Sequence, residues 1–119
     1  MINVATLIVS SIITKKWLSQ IKSEIEKQIP ETKYSESQYW ATFGSSELNR
    51  NFVYLRPYKT LIQLFTPLPV SYDDSLVDGK TSGGWMEYIS LFKIKSEHDI
   101  GKAIHLISKS YAFIKASRK

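Results

Sequence analysis

The tetrapeptide Arg56-Pro57-Tyr58-Lys59 places two cations and an aromatic ring between two apolar runs. Guanidinium and ammonium groups can hold a phosphate, and a tyrosine ring can stack on a nucleobase. The same residues suit a tight reversal, because Pro57 presets its own φ for the first corner of a turn. The pattern predicts a hairpin loop, which either has a structural role alone or also binds an anion. Arg50 opens the preceding strand and is expected at the opposite end of the hairpin.

Aromatic residues are numerous, with seven tyrosines and three tryptophans in 119 residues. Such rings supply rigid contact area at interfaces and stacking platforms for single-stranded nucleic acid. Two of them, Tyr72 and Trp85, lie in the long segment 67–85, and loops of this length are often functional. The candidate binding surface therefore consists of Arg56, Tyr58, Lys59, Tyr72 and Trp85.

Other chemistry is poorly supported by the sequence. The chain has no cysteine, which excludes thiolate metal sites, disulfides and cysteine nucleophiles. His98 and His105 are seven residues apart on a predicted helix, whereas a helical zinc site favours a spacing of four. Neither a phosphate-binding glycine loop nor a nucleophile elbow is present. We therefore expect no metal, no cofactor and no catalytic residue, and the sequence favours a protein that is not an enzyme.

The formal net charge of +5 permits association with nucleic acid without establishing it. The apolar run at the N-terminus is about twelve residues long and too short for a membrane span of ~20 residues. We therefore expect no membrane span. Small secreted domains usually carry disulfides, so a chain without cysteine is expected in the cytoplasm.

Hydrophobic periodicity predicts two amphipathic helices, at 13–29 and from Ser96 to the C-terminal region. Ile13 opens the apolar stripe of the first helix. Strands are predicted at 37–43, 52–56, 60–65 and 85–94. The first of them should place Tyr39, Ala41 and Phe43 on one face. The order is helix, three strands, long loop, strand, helix. It predicts a single α+β domain over 1–119, with an antiparallel sheet of about four strands covered on one face by the N- and C-terminal helices.

The chain has more apolar residues than the packing of two helices on one face of a sheet requires. Residues 2–9 do not continue the stripe of the first helix and form either a strand or a helix extension, while Leu106 and Phe113 lie on the flank of the last helix. Excess apolar surface on a domain this small predicts a homo-oligomer, most simply a dimer.

Several short motifs are shared with a known family: Arg50-Asn51-Phe52-Val53, Pro57 with Lys59, LVDG around Asp78, Gly84-Trp85, SEHDI and LISKSYAF. The pattern over roughly 34–114 resembles a small uncharacterised family named "predicted transport protein", which also forms a tail on nuclease-like proteins. The family offers no catalytic residues to carry over, and nothing in this sequence supports the transport label.

Three functions are consistent with these features. The first is a non-catalytic interaction module that self-associates. The second is a nucleic-acid-binding accessory module that uses Arg50, Arg56, Lys59 and the neighbouring aromatic rings, which the resemblance favours by analogy. The third is a hydrolytic or small-ligand site under the 67–85 loop.

Overall fold

The computed structural model describes residues 12–79 and 89–117. The predicted segment 2–9 and the candidate residue Trp85 lie outside these ranges. The elements of the described part follow in chain order: α1 Ile12–Gln28, β1 Thr32–Glu36, β2 Ala41–Ser45, β3 Arg50–Pro57, β4 Ile62–Thr66, β5 Val77–Asp78, β6 Ser90–Ile94 and α2 Ile100–Ser117. The α+β class is confirmed. No helix among the described residues is long and apolar enough to cross a membrane.

The strands form one sheet in the order β1-β2-β3-β4-β6-β5, and all neighbouring strands are antiparallel. The described part of the chain therefore contributes six strands, and the prediction of about four was too low. The sequence of β1, TKYSE, has no alternating apolar pattern, and β5 is two residues long. Neither strand has enough apolar periodicity to be recognised in the sequence.

Both helices pack on one face of the sheet around a continuous apolar core. The helix residues in this core are Trp17, Leu18, Ile21 and Ile25 from α1 and Ile100, Ala103, Leu106, Ile107 and Ile114 from α2. Leu106, expected on a flank, is 0% exposed, so the excess-surface argument for a dimer was wrong at this residue. Ile13 was expected in the buried stripe but is 54% exposed. Thr14 is buried instead, and it lies on the same helical stripe as Trp17, Leu18 and Ile21.

Two local predictions about turns were also wrong. Tyr39 does not share a strand face with Ala41, because residues 37–40 form the β1–β2 turn, in which Ser37 N donates to Trp40 O at 2.8 Å. Pro57 is the last residue of β3 and pairs with Ile62, so it does not form the corner of the next turn. That turn runs from Tyr58 to Leu61, whose N and O atoms are 2.7 Å apart.

Candidate functional site

The sheet has a face that points away from the helices, which we call the outer face. Side chains alternate along each strand, and the strand register aligns them in rows across the sheet. One row on the outer face consists of Ser35, Thr42, Tyr54, Phe65, Leu91 and Val77. A second row consists of Arg56, Gln63 and Lys93.

The Arg56 guanidinium lies among three aromatic rings at one end of the outer face. Its Cζ atom is 5.3 Å from the ring centroid of Trp40, 5.7 Å from that of Tyr58 and 5.8 Å from that of Tyr39. These distances fit cation–π contacts. We call these four residues the Arg56 cluster. Ala41 pairs with Leu55, so the β1–β2 and β3–β4 turns lie at the same end of the sheet and supply the rings from both sides.

Apolar side chains of the outer face pack against Trp40 of the Arg56 cluster. Trp40 contacts Tyr54 edge-on, with 6.0 Å between the ring centroids, and contacts Phe65 at 5.6 Å. Phe65 and Leu91 are buried, and Trp40 and Tyr54 pack against them. The rings around Arg56 are therefore held in place by a small hydrophobic cluster of their own.

Burial separates one donor of the guanidinium from solvent. Arg56 Nε is buried and has no hydrogen-bond partner. A buried donor without a partner costs about 1–3 kcal/mol, which the packing of the rings around the guanidinium has to offset. Tyr39 is 41% exposed, which leaves part of one ring of the cluster open to solvent.

The outer face is basic. Its described strand positions include three cations, Lys33, Arg56 and Lys93, and no carboxylate. The two acidic residues within these strands, Glu36 and Asp78, occupy the alternate positions. Glu36 accepts a hydrogen bond from the half-buried Tyr34 at 2.6 Å on the helix side. Burial, together with this carboxylate, raises the pKa of Tyr34.

The structure brings some of the predicted site residues together and separates others. Tyr58 joins the Arg56 cluster, and its hydroxyl donates to Gln63 Oε1 at 3.4 Å. Lys59 is exposed in the adjoining turn. Tyr72 is 43% exposed in the 3-10 turn Val70–Tyr72, away from this cluster.

The segment that follows Tyr72 is attached to the helix layer. Asp73 Oδ2 accepts a hydrogen bond from Lys102 Nζ of α2 at 3.0 Å, and its Oδ1 accepts from Ser75 N and Oγ. These hydrogen bonds, with those from Ser75 the largest cause, lower the pKa of Asp73. The described part of the 67–85 loop is therefore fixed beside α2.

Sequence reasoning missed Tyr39 and Trp40 as members of the site, because it assigned both to a strand. It also missed Lys93. The local sequence does not reveal that these residues meet Arg56 or share its face. The β2–β3 register brings Tyr39 and Trp40 to Arg56, and the β4–β6 register places Lys93 in its row.

A polar network fixes the opposite end of the molecule on the helix side of the sheet. Glu31 Oε2 accepts hydrogen bonds from Ser45 Oγ and Tyr111 Oη, each at 2.5 Å. The Ser45 bond, followed by the Tyr111 bond, lowers the pKa of Glu31, and the carboxylate in turn raises the pKa of Tyr111. Glu47 lies 3.5 Å from the Tyr111 hydroxyl and 3.8 Å from Lys115 Nζ. The network attaches α2 to β2 and to the residues that precede β1.

Comparison with protein-family models, with curated proteins and with solved structures finds no match for this chain. The resemblance of 34–114 to an uncharacterised family therefore stays a prediction. Within residues 12–79 and 89–117, no three His, Asp or Glu side chains group as metal ligands. Function is accordingly inferred from the geometry of the outer face.

Proposed function

We propose that the chain is a binding module whose outer face holds single-stranded nucleic acid. The observation that carries this proposal is the Arg56 cluster, a guanidinium held among three aromatic rings on a face that carries cations. Recognition of single strands uses such groups: bases stack on aromatic rings or on arginine planes, and cations contact the phosphates.

Each part of the Arg56 cluster has a distinct role in this proposal. The exposed part of Tyr39 would provide a surface for one base, and the positive charge of the Arg56 guanidinium would attract a phosphate. Lys93 lies two strands away in the same row, at about 10 Å from Arg56, because neighbouring strands are about 4.8 Å apart. The cations are thus spaced along a path and do not form one phosphate clamp.

The shape of the surface favours unpaired bases. The rings lie on a sheet and at its turns, where a paired base inside a duplex could not reach them. No acidic side chain interrupts the outer-face positions of the described strands. We therefore expect single strands to bind more tightly than a duplex of the same length, with a strong dependence on salt.

The test is a titration of a fluorescently labelled oligonucleotide, followed by anisotropy at several salt concentrations. The double substitution Arg56→Ala and Lys59→Ala should weaken binding for every sequence tested. It should also flatten the salt slope by about 1.4 units, because each phosphate contact to a single strand contributes about 0.7.

The matched control is Lys16→Ala with Lys27→Ala. This variant also loses two positive charges, from exposed positions on α1 where the side chains pair weakly with Glu97 and Glu24. It should bind almost as well as the parent. Absence of binding by the parent at low salt, or equal weakening in the control, would contradict the proposal.

Self-association is a second candidate, favoured by the apolar start of α1. Ile12 is 89% exposed and Ile13 is also largely exposed. Adjacent apolar side chains in contact with water form a patch that a second copy of the chain could cover. We expect a dimer that the substitutions Ile12→Ser and Ile13→Ser together convert to a monomer. Light scattering that shows a 13.7 kDa species for the parent at tens of micromolar would exclude this candidate.

The remaining expectations are also part of the proposal. The resemblance to tails of nuclease-like proteins supports an accessory role in nucleic-acid chemistry, and a chain without cysteine fits the cytoplasm. A small-ligand site under the 67–85 loop has weaker support, because its described residue Tyr72 lies apart from the Arg56 cluster.

A further inference from the structure

A second concave site lies at the end of the sheet opposite to Arg56. It forms where β1 begins, β2 ends and β3 begins, and its volume is about 320 Å³. Its lining residues are Lys33, Gly44, Ser45, Ser46, Asn49, Arg50 and Asn51. We call it the Gly44 pocket. Its volume is at the small end of ligand sites in proteins.

The absence of a side chain at residue 44 shapes this pocket. The β2–β3 register shifts between Phe43 and Gly44, and a Cβ atom at Gly44 would lie 2.5 Å from Asn51 Oδ1. The Asn51 amide is oriented by its hydrogen bond to Tyr54 Oη at 3.0 Å. Asn49, in the turn beside the pocket, has a φ of 56°, a conformation that asparagine tolerates better than most residues. The irregular β2–β3 pairing at Gly44 and the turn that contains Asn49 therefore fix the shape of the pocket.

The lining contains two cations, Lys33 and Arg50, and no acidic residue. Arg50 Nε donates to Asn51 O at 3.2 Å, which restricts where its guanidinium can point. Two carboxylates lie near this end of the sheet, and both are engaged on the helix side. Glu31 accepts from Ser45 and Tyr111, and Glu47 lies beside Lys115.

We propose that the Gly44 pocket binds a phosphate group. Lys33 and Arg50 supply the charge, and Ser46 and Asn49 add polar groups at the rim. The phosphate can belong to a nucleic-acid strand or to a free phosphate ester. Arg50 and Arg56 are six residues apart on β3, a distance of about 20 Å. An extended strand of several nucleotides along β3 would reach both sites, and this extension rests on the proposed function.

The experiment is a two-dimensional NMR titration of the ¹⁵N-labelled protein, with chloride at equal ionic strength as the reference. Inorganic phosphate should shift the amide signals of Gly44, Ser46 and Asn49 in a saturable way. Lys33→Ala should weaken this binding about tenfold, as expected for loss of a charge-assisted hydrogen bond. Lys27→Ala removes a similar charge from α1 and should leave it unchanged. The parent spectrum supplies the test even if a variant folds poorly.

A second arm separates the two sources of phosphate and the two proposals. A short oligonucleotide should shift the Gly44 pocket signals at lower concentration than inorganic phosphate, if the phosphate belongs to a strand. A free ester as the ligand would give the reverse order. Shifts near Tyr39 and Arg56 without shifts at Gly44 would overturn the pocket and leave the proposed function intact. The pocket proposal would also be overturned if inorganic phosphate bound Lys33→Ala as tightly as the parent.

Discussion

The close approach of Gly44 and Asn51 gives a sharp prediction about stability. An added Cβ at Gly44 would lie 2.5 Å from Asn51 Oδ1 and 3.3 Å from Arg50 O. Asn51 cannot move aside freely, because its Nδ2 donates to Tyr54. Overpacking of this kind costs about 1–3 kcal/mol. Replacement of glycine by alanine returns about 0.4–1 kcal/mol, because the unfolded chain loses freedom.

Gly44→Ala should therefore lower the free energy of unfolding by about 1–2 kcal/mol. For a domain of this size we expect the melting temperature to fall by roughly 4–8 °C. The assay is urea unfolding of four proteins: the parent, Gly44→Ala, Asn51→Ala and the double variant.

The double-mutant cycle isolates the contact from other effects of the alanine. With Asn51 truncated, the nearest atom to the new Cβ is Arg50 O at 3.3 Å, which is tight but needs little movement. Gly44→Ala should then change the unfolding free energy by less than about 0.5 kcal/mol. An equal cost in both backgrounds would refute the reasoning and would assign the cost to the backbone at residue 44.

Two further predictions concern the core and the polar network. Ile107→Ala should cost about 2–5 kcal/mol of unfolding free energy, because Ile107 is fully buried, whereas the exposed control Lys109→Ala should stay within about 0.5 kcal/mol. Equal melting temperatures for these two variants would contradict the core assignment. The folded state lowers the pKa of Glu31 below its ordinary value of 4.5, so its contribution to stability is present above about pH 4.5 and is lost as the pH falls through the lower folded-state value. The difference in unfolding free energy between the parent and Glu31→Gln should therefore shrink from pH 5 towards pH 3. A difference that grows with acidity would show that the sign is wrong.

The helices could be predicted from the sequence because their apolar residues recur at helical spacing. The predicted range 13–29 matches α1, and the buried residues Trp17, Ile21 and Ile25 all belong to the predicted stripe. The assignment of Ile13 to the buried stripe was wrong, because the buried face at the start of α1 passes through Thr14 and leaves Ile13 exposed. Periodicity indicates which residues share a face but does not indicate where the opposing surface ends.

The edges of the sheet could not be predicted in the same way. An edge strand such as β1 has one neighbour and needs little apolar surface, so TKYSE can form a strand on backbone hydrogen bonds and the partly buried Tyr34. The two residues of β5 likewise pair with β6 without a distinctive composition. Such strands depend on the sheet that is already present beside them.

Only those members of the candidate site that are close together in the sequence could be predicted. Arg56, Tyr58 and Lys59 are neighbours in sequence, so it was predictable that a turn close to Arg56 would carry Tyr58 and Lys59. Tyr39 and Trp40 reach Arg56 only because β2 pairs with β3 in one particular register. No local sequence pattern reveals that register.

The hydrogen bond from Tyr111 to Glu31 has a consequence for the order in which the molecule assembles. It joins residues 80 apart, as does the bond from Ser108 to Gln28, whereas the hairpins that pair β1 with β2, β2 with β3 and β3 with β4 close through turns of about four residues. Long loops cost more entropy to close, so the hairpins can form before the two helices meet. We therefore expect the junction of α1 and α2 to form after the hairpins. Because α2 supplies Leu106, Ile107 and Ile114 to the core, its docking would be the step that closes the core to solvent and proteases.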